Sequence, residues 1–344
     1  MPNHVTNILE FSGDAKKIYD MLSYIKYDDQ SLGSFDFNKI LPMPKTLNLT
    51  SGSTTMDAVN VYMSAINPQN KEDYGVEKVD KETYEEYKKL ISKCVSTFPA
   101  RFNDKMSLAD INKESANYFN KNDRFDSQDT VDGGDIFYFG KTVIENIQNY
   151  GCCDWYEWCC CNWGTKWNSY SHIDIAPTET AIRFETAWSA PHPVICALAE
   201  KFPDIRINHK WADEDVGNNC GEAEYENGEE LSCEYFESSV ETTLFAMDIL
   251  GYDTSDYYIT NDGCMIEIGY DFPSSITKTE ADDFVAKGMK SEVFEKLGTI
   301  HEEDEEGEEE EPYFDISSWT KVDRTEFLDE LQRIGINISD FVYS

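Results

Sequence analysis

Long apolar runs are missing from this sequence of 344 residues. None of its apolar stretches reaches the roughly 18–20 residues that a helix needs to cross a bilayer. Residues 1–7 also lack the basic and apolar blocks of a secretory signal. We therefore expect a cytoplasmic protein that does not bind membranes. Because nothing directs the chain to an oxidising compartment, its ten cysteines are predicted to be reduced thiols.

Positive charge is scarce. The chain has 29 Lys and Arg against 67 Asp and Glu, a formal net charge of −38. Such a field repels phosphates and anionic lipids, so no direct contact with nucleic acid is expected. The excess of acidic residues is concentrated from Ala212 to the C terminus, where 37 acidic and 7 basic residues give a net charge of −30. This concentration has two interpretations, a device for solubility or a functional acidic surface.

Recognisable catalytic signatures are absent as well. The sequence has no G-x-S-x-G elbow, no phosphate-binding glycine loop and no dinucleotide fingerprint. Its five histidines are scattered, and its cysteines are adjacent or widely spaced instead of forming CxxC pairs, which argues against a zinc site. We therefore predict a protein that is not an enzyme and that has no metal and no cofactor.

Two units of strand, helix and strand pattern are present. Residues 4–11 are rich in β-forming side chains and precede a capped apolar periodicity at 14–25. Strand patterns return at 181–188 and 204–211, and a helical pattern lies between them. Asn227-Gly228 then predicts a two-residue hairpin. The three strands are expected in one sheet, with both helices on one face, which predicts an α+β fold with a ferredoxin-like antiparallel sheet backed by helices.

The remaining segments differ in composition. Residues 1–235 are predicted to form the ferredoxin-like domain, which a helical insertion interrupts at about 54–150. Residues 236–300 are expected to form a small acidic α/β extension. Residues 301–311 are almost entirely acidic, and because such a run repels itself we predict a flexible tract unless a partner orders it. Residues 312–344 are too apolar for a free tail, so they either dock on the body or contact another protein, for example in a homo-oligomer.

Tryptophan and cysteine are concentrated in residues 151–168, which contain four of the seven tryptophans. A covered indole contributes a large buried area, and its N–H needs a hydrogen-bond acceptor. The segment is either a packed corner between the helical insertion and the sheet or a platform for a ligand or partner. We favour the packed corner and predict that Trp163 and Trp167 are buried.

Four sequence motifs resemble the YubB ferredoxin-like family, whose members occur in phages, plasmids and integrated elements. They lie at 2–7, 35–44, 162–167 and 184–191, and the resemblance spans about 1–235. It implies a ferredoxin-like core and a mobile-element origin, and it implies no activity. The third motif is interpreted as structural and consists of Asn162, Trp163, Gly164, Thr165, Lys166 and Trp167.

A folded anionic surface can imitate the phosphates of nucleic acid. Our hypothesis is a protein-binding module of a phage or mobile element that inhibits a basic host protein, a nucleic-acid-binding or defence protein, in the host cytoplasm. Alternatives are a ligand-binding protein or enzyme that uses 151–168, and an oligomeric assembly component. The carboxylates predicted to bind the partner are Asp213, Glu214, Asp215, Glu222, Glu224, Glu226, Glu302, Glu303, Asp304, Glu305 and Glu306.

Overall fold

A computed structural model describes most of the chain. The described residues are 2–49, 51–93, 102–107, 109–114, 136–269, 271–294, 296, 300–301 and 312–342. Within these ranges, every helix is too short or too polar to cross a membrane. The predicted acidic tract falls outside them, except for His301.

Five strands form one sheet in the order β2-β1-β3-β4-β5. The strands are β1 (His4–Ser12), β2 (Ala181–Ala187), β3 (Arg206–Asp213), β4 (Gly221–Glu226) and β5 (Glu229–Tyr235). This order confirms that the three strands predicted from the sequence share a sheet. It leaves β2 and β5 as the two edges, which the chain treats differently.

The hairpin between β4 and β5 is the one that Asn227-Gly228 predicted. Both residues have a left-handed backbone, with φ of 54° at Asn227 and 81° at Gly228. Two consecutive left-handed residues are the signature of a type I′ turn, whose twist matches that of the flanking strands. The local sequence is therefore sufficient to explain this hairpin.

The chain divides into two compact units. The first unit comprises Ser12–Arg206 with Glu226–Glu229. Among its helices are α1 (Ala15–Ile25), α2 (Ser53–Ile66), α3 (Lys81–Lys93), α4 (Ile136–Tyr150), α5 (Trp155–Asn162) and α6 (His192–Lys201).

Helix α1 contacts the residue that follows the end of α6. The rings of Tyr24 and Phe202 meet edge to face with centroids 5.9 Å apart. Asp14 caps α1 by accepting hydrogen bonds from the backbone N–H of Lys16 and Lys17, each at 3.0 Å. The predicted N-cap therefore fixes where this helix begins.

The helical insertion has a hydrophobic core of its own, in which α2 is buried on nearly all sides against α4. Gly140 permits this packing, because a Cβ atom there would lie 2.1 Å from the Ala58 carbonyl oxygen. The absence of a side chain at Gly140 is thus a requirement of the close approach between the two helices.

The second unit comprises Met1–Phe11, Ile207–Tyr225 and Glu230–Ser344. After the sheet strands it contains the following elements in chain order: α7 (Val240–Leu250), β6 (Tyr257–Ile259), β7 (Met265–Glu267), β8 (Ser275–Thr277), α8 (Lys278–Ala286), α9 (Ser291–Phe294), β9 (Ile300–His301), β10 (Tyr313–Asp315), α10 (Lys321–Arg333) and α11 (Ile338–Val342). Helix α7 packs through Ala246 and Ile249 on Ala212 and Cys220 at one end of β3 and β4.

The apolar C-terminal segment docks back on its own unit. Phe327, Leu328 and Leu331 of α10 are fully buried and share a core with Ile266 and Phe284. The stretches 236–300 and 312–344, expected as separate parts, therefore contribute to one core. The apolar residues that suggested a contact with another protein are largely buried in this core.

Candidate functional site

The acidic residues of β4 project from its exposed side, as their alternation predicted. Glu222 is exposed and Glu224 and Glu226 are half-buried, whereas the residues between them are buried. Lys210 of β3 lies opposite Glu222 in the register, and its Nζ is 3.7 Å from a carboxylate oxygen of Glu10. One lysine thus partly compensates the charge of this part of the sheet.

Asp213 has a structural place in the fold. Its side chain is 4% exposed. One carboxylate oxygen accepts hydrogen bonds from the Asn3 amide and the Asp215 backbone, both at 3.0 Å, and the other accepts one from Asn219 at 2.8 Å. A buried carboxylate with both oxygens bonded cannot contact a partner. Glu214 and Asp215 are exposed, and Glu214 accepts a hydrogen bond from the β1 backbone at 3.0 Å.

The other predicted partner-binding carboxylates, Glu302, Glu303, Asp304, Glu305 and Glu306, lie outside the described residues.

A cleft of about 610 Å³ lies where β5 ends and α7 begins, and we call it the acidic cleft. Phe236 and Phe245 meet in it edge to face with centroids 4.9 Å apart. Partial burial, and after it the nearby Cys233 side chain, raises the pKa of Tyr235. The lining combines three carboxylates with three aromatic rings: Glu234, Tyr235, Phe236, Glu237, Glu241, Thr242 and Phe245.

The carboxylates of the acidic cleft have little compensation from the second unit. All seven basic residues after Ala212 contact carboxylates or carbonyl groups elsewhere in that unit. Within the described ranges, none of these ion pairs involves Glu234, Glu237 or Glu241. The seven engaged cations are Lys278, Lys287, Lys290, Lys296, Lys321, Arg324 and Arg333.

The acidic cleft was not predicted from the sequence, because the alternating pattern at 222–226 indicates the binding surface there instead. A local signal was available: Glu237 and Glu241 are four residues apart around Ser239, which caps α7 by accepting a hydrogen bond from Thr242 N at 3.1 Å. That spacing places both acids near one helix end. The packing of α7 on the sheet brings these two acids and Phe236 into one cleft.

The Trp163 side chain is buried, as predicted. It is 3% exposed, and its indole N–H donates a hydrogen bond of 2.8 Å to the Leu41 carbonyl. Its ring packs edge to face against Trp158 and Phe37, with centroids 5.5 and 5.7 Å away. This residue joins the segment at 37–41 to the C-terminal end of α5.

The rest of the same motif covers the outer edge of β2. Thr165 Oγ1 donates to the Ala187 carbonyl at 2.7 Å and accepts from the Ala187 N–H at 3.1 Å. Further along, Tyr170 and Glu185 exchange two backbone hydrogen bonds of 3.0 and 2.8 Å. Gly164 has a φ of +76°, and a Cβ atom there would meet Pro193 at 2.9 Å. We therefore interpret the motif as structural, because its residues protect the outer edge of β2.

The prediction that Trp167 is buried is wrong, because its side chain is 37% exposed. Lys166 Nζ lies 4.7 Å from the ring centroids of both Trp167 and Trp188, and 5.9 Å from that of Tyr156. These four residues form what we call the aromatic cluster. Cation–π attraction holds the ammonium among the rings without removing it from water.

Trp188 has an unusual backbone for so large a residue, with a φ of +76° and 41% exposure. The flanking residues hold this turn. Thr186 Oγ1 donates to the Ser189 carbonyl at 2.8 Å, and the Tyr170 hydroxyl donates to the Thr186 carbonyl at 3.0 Å. A bulky side chain in the left-handed region is strained, and such strain concentrates at binding sites.

Neither the Ser169–His172 pair nor the Cys159 thiol is arranged for nucleophilic chemistry. Ser169 Oγ lies 2.8 Å from His172 Nε2, but its own proton is directed to the Phe35 carbonyl, so the ring nitrogen does not activate it. Burial raises the pKa of Cys159 to about 12 and thus keeps that thiol protonated. The nine cysteines in the described part of the chain are free, and no group of three or more potential ligands there is arranged to hold a metal ion.

Comparison with known proteins extends the assignment of the fold. Residues 162–254 match a family model described as a ferredoxin-like domain in Api92-like protein. The match includes all strands of the sheet except β1 and confirms the ferredoxin-like prediction for this region. A crystal structure of protein api92 from Yersinia pseudotuberculosis covers 70% of this chain and 99% of its own, with 10% identity and a TM-score of 0.33. No curated protein matches the chain.

Proposed function

We propose that this protein is a non-enzymatic protein-binding module that captures a basic protein through the acidic surface of its second unit. The observation that supports the proposal is the acidic cleft. Three carboxylates surround aromatic rings there, while every basic residue after Ala212 is engaged elsewhere. Glu214, Asp215, Glu222 and Glu224 add exposed or half-exposed charge in the same unit.

The two kinds of group in the acidic cleft suit a lysine or arginine of a partner. The aromatic rings can cover the aliphatic stem, and the carboxylates can bind the charged end. The net charge of −30 acts at longer range and accelerates encounter, within a Debye length of about 8 Å at physiological ionic strength. Association rate should therefore depend on total charge, and dissociation rate on the cleft.

The resemblance to the YubB family supports a narrower form of the proposal. The protein would come from a phage or plasmid, act in the host cytoplasm and inhibit a nucleic-acid-binding or defence protein by occupying its basic groove. The carboxylates would then stand in for nucleic-acid phosphates. Phage or plasmid genes on both sides of the coding sequence would support this origin, and a stable chromosomal housekeeping context would contradict it.

The test is a partner capture with matched variants. Immobilised full-length protein should retain a basic protein from host extract at about 50 mM salt and release it at about 500 mM. The variant Glu234→Gln/Glu237→Gln/Glu241→Gln should lose it. The control Asp248→Asn/Glu267→Gln/Glu292→Gln removes the same charge from exposed positions outside the cleft and should retain it. Equal retention by all three proteins at both salt concentrations would show that the acidic charge does not bind the partner and serves solubility.

The aromatic cluster supports a second candidate, a ligand or partner platform in the first unit. The specific observation is the strained, exposed Trp188 beside Trp167 and Lys166. In the same capture experiment, Trp167→Ala/Trp188→Ala should release the partner if this platform binds it. Unchanged retention would assign binding to the second unit alone.

A further inference from the structure

We infer that β5 accepts an extended segment of the partner as a sixth strand, in which basic and apolar side chains alternate. This inference rests on the proposed function and specifies how the partner binds. Addition of a strand to an exposed sheet edge is a recurring mode of protein recognition, in which backbone hydrogen bonds supply affinity and alternate side chains supply specificity.

The first ground is the open edge. β5 is the last strand in the sheet order, and all seven of its residues are exposed. In the described part of the chain, no segment pairs with it on the side away from β4. The other edge strand, β2, is covered by the motif segment at 165–170.

The second ground is the pattern of side chains along β5. Glu229, Leu231, Cys233 and Tyr235 share one face, and Leu231 is 54% exposed. Glu230, Ser232 and Glu234 share the other face, because successive side chains of a strand alternate. A paired strand would therefore place apolar side chains beside Leu231 and Cys233 and lysine or arginine beside Glu230 and Glu234, where opposite charges stabilise cross-strand pairs.

The same charges argue against a second copy of this chain as the occupant. Two copies of β5 that pair antiparallel along all seven residues would meet symmetrically at Ser232. That register places Glu230 directly opposite Glu234 of the other copy, twice in each dimer. Like charges directly opposite are destabilising. Charge at an exposed edge is a known protection against such self-pairing, and it leaves the edge open to a basic strand.

The third ground is continuity with the acidic cleft. Glu234 and Tyr235 end β5 and also line the cleft. A segment that follows β5 toward its C-terminal end therefore reaches the cleft, where Glu237 and Glu241 can receive a further basic side chain.

The probe is a fluorescein-labelled peptide in which Lys and Val alternate, measured by fluorescence anisotropy with the full-length protein. Methylation of alternate backbone nitrogens removes the donors along one edge of the peptide and keeps its charge. We expect methylation to weaken binding by at least about tenfold. Leu231→Lys should weaken it by a similar factor, whereas the control Val285→Lys, at a residue that is also 54% exposed, should not.

The outcomes separate this inference from the proposed function. Salt-dependent binding that neither backbone methylation nor Leu231→Lys affects would overturn strand addition and leave the acidic surface intact. Absence of peptide binding at about 50 mM salt would also overturn strand addition. The partner capture would still test the proposed function independently. A concentration-dependent dimer that Leu231→Lys abolishes would identify a second copy as the occupant and overturn the inference as well.

Discussion

The two edges of the five-stranded sheet are protected in different ways. At β2, the Thr165 hydroxyl bonds the Ala187 backbone and the Tyr170 backbone bonds that of Glu185, and the buried Trp163 anchors this cover. At β5, the edge is exposed along its whole length and carries Glu230 and Glu234. Cover and charge are alternative means of preventing edge-to-edge aggregation.

Cover and charge differ in which further strands they keep from pairing with the sheet. The covered edge cannot accept an additional strand at Glu185 and Ala187, whose outer backbone groups are already bonded. A charged edge excludes strands of like charge and admits those of opposite charge. The sheet therefore has one edge that the chain covers and one that is exposed and charged, and substitutions at the two edges should have different effects.

The largest effect is expected from Trp163→Ala. Removal of a buried aromatic side chain costs about 3–5 kcal/mol of unfolding free energy. Trp167→Ala is the matched change, and it should cost less than half as much because that ring is exposed. Denaturant titration of both variants checks this expectation, and equal losses would show that both rings support the cover of β2.

Thr165→Val should have an intermediate effect. The substitution keeps the shape of the side chain and removes its hydroxyl. The Ala187 N–H then loses its hydrogen bond, while the Ala187 carbonyl keeps one of 3.4 Å from the Lys166 N–H. Unsatisfied buried polar groups cost about 1–3 kcal/mol each. Thr325→Val is the control, since that hydroxyl bonds only within its helix at 2.9 Å. Similar unfolding free energies for the two variants would contradict a stabilising role for the cover.

At the open edge, Glu230→Gln/Glu234→Gln should change association more than stability. With the charge removed, paired copies of β5 no longer repel each other, so we expect concentration-dependent self-association by analytical ultracentrifugation. Glu267→Gln/Glu292→Gln removes the same charge elsewhere and should leave the sedimentation coefficient unchanged. If the edge variant also sediments like the unmodified protein, charge is not what protects β5.

The smallest effect on stability is expected from Trp188→Gly. Glycine adopts the left-handed backbone of this turn at no steric cost, which relieves strain of about 1–3 kcal/mol. This relief offsets the loss of a partly exposed ring, so thermal unfolding should change little. A near-neutral substitution would mean that the Trp188 ring contributes little to stability, as expected if the aromatic cluster is a binding platform. A loss as large as that of Trp163→Ala would make Trp188 a packing residue.

The sequence alone determined the features that depend on neighbouring residues. The cap at Asp14, the type I′ turn at Asn227-Gly228 and the alternation of Glu222 and Glu224 were all predicted correctly. Each results from interactions over two to four residues, which local spacing records directly. The sheet with backing helices followed from the order of these elements, because few arrangements bury two such units.

Only the tertiary structure decided burial and proximity. Trp163 and Trp167 lie four residues apart in one motif, yet one is buried and the other exposed, because Leu41 and Phe37 cover only the first. Asp213 became structural through Asn3, which is 210 residues away. The acidic cleft arises where α7 packs at the end of β5. Such contacts join residues distant along the chain, and no local spacing records them.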